Sequence, residues 1–85
     1  MEWIKIEEID KYDLNQQIMF WQKNLADPSC SRFNRGTYED GVIRIYPVIY
    51  DSDYLKIDDY KGYDLEGDLC QITHFALIEP PLNKL

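Results

Sequence analysis

The order of apolar and polar positions divides the chain into short runs of β character separated by polar turns. At the start, Trp3-Ile4-Lys5-Ile6 places Ile4 and Ile6 on one face and Trp3 and Lys5 on the other, which predicts a short strand running into a polar turn over 7–13. The stretch from Leu14 to Leu25 carries two periods at once. Leu14, Ile18, Trp21 and Leu25 fall at helical spacing, with Asp13 and Gln16 as a capping pair. Period two instead puts Ile18 and Phe20 on one face and Met19 and Trp21 on the other, a strand buried on both sides.

The clearest local signal follows a loop at Asp27-Pro28-Ser29. In RFNRGTYEDGVIRIYP, two runs rich in aromatic and β-branched residues flank Asp40-Gly41, a pair whose backbone tolerates the positive φ of a tight turn. This predicts a β-hairpin. Its second arm has an apolar face, Ile43 and Ile45, and a mixed one, Val42, Arg44 and Tyr46. Pro47 has no N–H for a ladder and marks the end of the pairing or an edge. Residues 51–68, DSDYLKIDDYKGYDLEGD, show no apolar periodicity and are punctuated by Gly62 and Gly67, so a long acidic loop is expected there. A strand from Cys70 to Ile78 closes the pattern, stopped by Pro80-Pro81. The fold class expected is mainly β: one domain over 1–85, a single twisted antiparallel sheet of four or five strands, open or barrel-like, with at most one short helix.

Composition narrows this picture. With 85 residues, 45% of them hydrophobic, the chain fills one core and not two. No apolar stretch approaches the roughly 20 residues of a membrane helix, and MEWIKIEEID lacks the basic start and apolar centre of a signal peptide, so a cytoplasmic location is expected. Cys30 and Cys70 show no C-x-x-C spacing and are expected as two thiols; neither a metal nor a cofactor is implied. The net charge of -7 repels nucleic-acid phosphates and anionic membranes. It points to the basic surface of a protein as partner, without direct nucleic-acid binding.

The opening W-I-K-I, the strand-like I-M-F-W, the central G-x-Y-x-D-G hairpin and the ending I-T-H-F-A-L-I-E-P-P together resemble a small domain-of-unknown-function family common in phage and prophage genes. Its members open W-I-x-V and close V-T-H-W-M-P-L-P-x-P-P. Thr73, His74, Pro80 and Pro81 match that ending, whereas Phe75, Ala76 and Ile78 depart from it. The resemblance implies a phage or prophage origin and a small antiparallel β domain whose second segment is a strand. It implies no catalytic residues.

Three sets of residues carry candidate chemistry. His74, the lone histidine, shares a face with Cys70, Ile72, Ala76 and Ile78 if the last strand is regular. That placement reads as a packed histidine bonded to a backbone carbonyl. A Cys70/His74 dyad fails on distance, because each two-residue step along a strand rises about 7 Å. The second set is the acidic segment, where Asp51, Asp53, Tyr54, Asp58, Asp59, Tyr60, Asp64, Glu66 and Asp68 interleave carboxylates with rigid tyrosines. Such an array suits a groove evolved for a nucleic-acid backbone, which reads charge and spacing. In size and charge the chain also resembles small acidic phage proteins that block host defence nucleases. With the phage resemblance this implies as expected function a non-enzymatic phage or prophage inhibitor of a bacterial defence protein, of the anti-CRISPR or anti-restriction kind. The third set, Arg32, Arg35 and Arg44, offers the alternative of a small module that sequesters an anion or nucleotide.

Overall fold

The computed structural model describes residues 2–12, 17–53 and 56–78, with backbone alone at 52–53 and 56–59. Seven strands form one antiparallel sheet: β1 (Ile4–Lys5), β2 (Ile18–Asn24), β3 (Arg32–Glu39), β4 (Val42–Ile45), β5 (Val48–Asp53), β6 (Lys56–Tyr63) and β7 (Leu69–Leu77). The sheet order is β1-β7-β2-β3-β4-β5-β6, and a further pairing of β6 with β7 closes strands β2 to β7 into a six-stranded barrel. Closure runs through Lys61 opposite Gln71, Gly62 opposite Cys70 and Tyr63 opposite Leu69. Where β6 leaves that edge of β7, β1 takes it up, with Ile4 opposite Phe75 and Lys5 opposite His74. The mainly β, barrel-like expectation holds. Two extra strands come from segments whose pattern hid them.

The interior follows period two. On β2, Ile18, Phe20, Gln22 and Asn24 are buried while Met19, Trp21 and Lys23 are not, so the strand reading of 18–24 is the observed one. Residues 14–16 of the candidate helix lie outside the described residues. Ile43 and Ile45 of β4 point inward as their alternation predicts, and the core is completed by Ile6, Ile9, Tyr50, Ile72 and Phe75. The β3–β4 hairpin turns at Asp40 and Gly41 with φ of 52° and 78°, the positive values that the Asp-Gly pair tolerates. β3 pairs with β2 up to Gly36 and with β4 from Thr37 onward. At that crossover a Cβ on Gly36 would stand 2.5 Å from the Arg44 carbonyl oxygen, so only glycine lets the two strands approach.

Two expectations are corrected. The polar turn after the first strand is a 3-10 helix over Ile6–Lys11. Ile6 and Ile9 eclipse one another at its three-residue period and both are buried. Pro47, by contrast, marks the end of the β4 arm as its missing N–H predicts: it lies in the turn joining β4 to β5, where Ile45 faces Val48. The described part of the expected acidic loop, 51–68, is instead the end of β5, all of β6 and a tight turn at 64–68. Its inward positions carry Tyr60, Gly62 and Asp64 rather than aliphatics, which is why no apolar period showed.

Candidate functional site

The acidic residues divide by where β5 and β6 put them. Asp51 is exposed on β5, with Val42 and Lys61 as its Cα partners. Asp53, Asp58 and Asp59 occupy strand positions on β5 and β6, and Tyr54 lies outside the described residues. Tyr60, by contrast, is only 4% exposed, and its ring meets Tyr38 edge-on at 6.4 Å between centroids. It belongs to the core and not to a contact surface. The 3-10 helix carrying Glu7, Glu8 and Asp10 packs against β6, and Tyr38 donates its hydroxyl hydrogen to Asp10. Among the described side chains, the exposed carboxylates on this side are Asp51 on β5 and Glu7 and Asp10 on the 3-10 helix.

Asp64 is withdrawn from any interface for a structural reason. Its side chain, 2% exposed, accepts hydrogen bonds from the amides of Glu66 (3.0 Å) and Asp68 (2.9 Å) and so ties the turn between β6 and β7. The Cys70 thiol lies 3.6 Å from its other oxygen, and Arg32 Nη2 is at 3.6 Å as well. Burial works against the Asp64 charge, yet the Asp68 and Glu66 amides, the Cys70 thiol and Arg32 outweigh it and hold the carboxyl below its ordinary range. Asp68 is half-buried and accepts from Asn24 Nδ2 at 3.1 Å, while Glu66 stays exposed at 3.7 Å from Arg32 Nη1. Of the nine acidic-segment residues, Tyr60 and Asp64 are corrected from partner contacts to structural groups.

The same contacts split the arginines. Arg32 serves the turn at Asp64 and Glu66, at the mouth of the barrel. Behind it Gln22 donates to the Tyr50 hydroxyl at 2.8 Å and accepts from Asn34, a polar network inside the barrel with every buried polar side-chain atom partnered among the described residues. Arg35 and Arg44 lie elsewhere and line one cleft of about 520 Å³ with Gln17, Thr37 and Tyr46. Arg44 approaches Glu39 only at 4.0 Å, both side chains being exposed.

His74 is not on the aliphatic face. The β2–β7 register shifts so that Trp21 faces His74 while Gln22 faces Ile72, leaving Thr73 as an extra residue on β7. This β-bulge reverses the alternation: Cys70 and Ile72 point inward before it and Phe75 after it. His74 is left half-buried on the outside, its Nδ1 2.9 Å from the Thr73 hydroxyl. Cys70 faces the interior, where burial and the neighbouring Asp64 push its thiol up to about 11. Cys30 is exposed, and its hydrogen bond to Asp27 raises its thiol too. Both cysteines are free. No activated thiolate arises from either environment.

Around His74 the outer wall carries a cluster that the linear reading passed over. Trp3, Trp21 and Phe33 stand in mutual contact, with centroids at 5.9 Å (Trp3–Trp21), 6.1 Å (Trp3–Phe33) and 6.5 Å (Trp21–Phe33). Phe33 is 54% exposed. The available signal was parity: Trp21 opposes Ile18 and Phe20 in the β2 alternation, and Phe33 pairs with it across the sheet. No family model, curated protein or solved structure matches the chain. Among the described residues, no helix is long and apolar enough to cross a membrane.

Proposed function

We propose that the protein is a non-enzymatic binding domain that presents the carboxylates of its β5–β6 side to the basic surface of a protein partner, one that otherwise grips a nucleic-acid backbone. The observation that supports this is the incorporation of the acidic segment into the barrel wall. Asp51 and Asp53 are paired opposite Lys61 and Lys56, and β6 is bonded in turn to β7. The register of β5 with β6 shifts between Asp51 and Asp53, so Asp58 and Asp59 lie in the irregular part of β6. Backbone held at strand positions loses little conformational entropy when a partner arrives. Electrostatic encounter makes the affinity fall with salt. The resemblance of the closing motif to phage domains makes a host defence nuclease the first partner to try. Replacing Asp51, Asp58 and Asp59 together by Asn should weaken inhibition of that nuclease at least tenfold while leaving the circular dichroism unchanged. Undiminished potency would overturn the reading.

One observation favours a second reading. Because Arg35 and Arg44 share a cleft, the anion-binding alternative survives with two of its three arginines, Arg32 being committed to Asp64 and Glu66. Titration calorimetry with cyclic nucleotides decides it, and the absence of heat at millimolar ligand removes it.

A further inference from the structure

The outer face of β1, β7, β2 and β3 differs in chemistry from the rest of this acidic chain. Across it, Phe33 pairs with Trp21, Trp21 with His74 and His74 with Lys5, one continuous row of outward positions over four strands. The adjoining row holds Arg35, Met19 and Ala76 in register. Trp3 packs on both Trp21 and Phe33 of the first row. Lys23, two positions beyond Trp21, is exposed on the same face. Among the described residues, Lys5, Lys23 and Arg35 have no ion-pair partner. Carboxylates border the face at Glu2, next to Trp3 in the chain, at Glu7, which lines a shallow hollow with Lys5 and His74, and at Glu39 at the far end of β3.

From this juxtaposition we infer that the aromatic face binds single-stranded nucleic acid, stacking two or three bases on Phe33, Trp3 and Trp21 with phosphates reaching Lys5, Lys23 and Arg35. Three features select this ligand. The exposed Phe33 ring and the half-buried Trp3 and Trp21 rings beside it give a base a π surface to stack on, whatever its sequence. Lys5, Lys23 and Arg35 stand at outward positions among the rings, which suits a ligand that carries both rings and phosphates. The three rings also touch one another, so no gap between their faces admits a quaternary ammonium, and the cations around them repel one. The net charge of -7 describes the whole chain, and within a Debye length of about 10 Å the local cations decide the encounter. Four strands spaced about 4.8 Å apart give a face roughly 14 Å wide, room for two or three nucleotides. The inference is independent of the proposed acidic interface, which lies on other strands.

Trp3 and Trp21 are the chain's two tryptophans, so its intrinsic fluorescence reads this face alone. Titration of the intact protein with a ten-nucleotide oligo-dT should quench that fluorescence, and an abasic phosphodiester of equal length should not. Phe33→Ala should weaken binding roughly 5- to 150-fold, the range for losing one stacking ring. Three phosphate contacts predict roughly a twentyfold loss between 50 and 200 mM salt. Arg35→Glu provides a second variant on an exposed side chain, and it too should weaken binding. Equal quenching by the abasic polymer, no quenching at low salt, or quenching only by an acidic aromatic peptide would each overturn the assignment, the last giving the face to a protein instead.

Discussion

The β5–β6 side and the β1-β7-β2-β3 side of the barrel are built from the same strand geometry with opposite use of side chains. On the aromatic side the inward positions of β2 and β7 carry Ile18, Phe20, Ile72 and Phe75, and large rings also occupy the outward ones. On the acidic side Tyr60, Gly62 and Asp64 face inward, and the described outward positions mix Ile49 and Tyr63 with Asp51 and Lys61. Apolar content alone therefore does not mark the interior of this protein. Parity along each strand does, and it separates a phenylalanine that stabilises the fold from one that is free to meet a ligand.

The sharpest way to break that comparison is to truncate one ring on each side of the wall. Phe20→Ala, at a fully buried position, should cost about 3–5 kcal/mol of unfolding free energy, whereas Phe33→Ala should cost under about 1 kcal/mol. Urea denaturation of the two variants measures both, and equal losses would mean that the outer rings are a second core.

The same contrast exists between two aspartates. Asp64→Asn removes a charged acceptor from two backbone amides and should cost about 1.5–3 kcal/mol, while Asp51→Asn at an exposed position should stay within about 0.5 kcal/mol. The carboxyl of Asp64 is held below its ordinary value in the folded state, so it binds a proton less readily there than in the unfolded chain. Its stabilisation is complete above the ordinary carboxylate range and is lost as pH falls through the depressed native value. Acid unfolding followed by circular dichroism should lose that dependence in Asp64→Asn and keep it in Asp51→Asn.

A smaller effect is expected at the barrel mouth. Tyr50→Phe leaves Gln22 Nε2 without its 2.8 Å acceptor in a buried site, a cost of about 1–3 kcal/mol by thermal unfolding. Smallest in free energy is the difference between the thiols. An exposed Cys30 should react with a disulfide reagent in the native protein, and Cys70, buried and pushed up to about 11, should react only on unfolding.

What could be read from the residues, and what could not, follows the same division. Ile43 and Ile45 alternate cleanly, and Asp40-Gly41 supplies the turn that the hairpin demands, so that unit was legible in full. β2 became legible once period two was preferred to 3.6, because Gln22 and Asn24 hold inward positions that a hydrophobic count discards. β6 was not legible, since the inward positions described on it are Tyr60 and Gly62 and the inward residue just after it is the hydrogen-bonded Asp64. Ile6 and Ile9 looked like the remains of a strand and a turn because a three-residue period over six residues is too brief to stand out. His74 was misplaced by one residue of register: Thr73, an unpaired insertion on β7, is decided by the pairing with β2 and leaves no mark in the local sequence. The acidic set was found as a composition and then sorted by burial, which only the closed barrel reveals.

Because β7 holds β1 and β6 along one edge and β2 along the other, no closed wall exists until residues 69–77 have joined it. A nascent chain lacking that strand on the ribosome would leave β2 and β6 with bare peptide edges open to neighbouring chains. Assembly must therefore wait for distant parts of the chain to meet, which makes it a late and comparatively slow event. Crowded synthesis at high expression is accordingly where aggregates of this protein should first form.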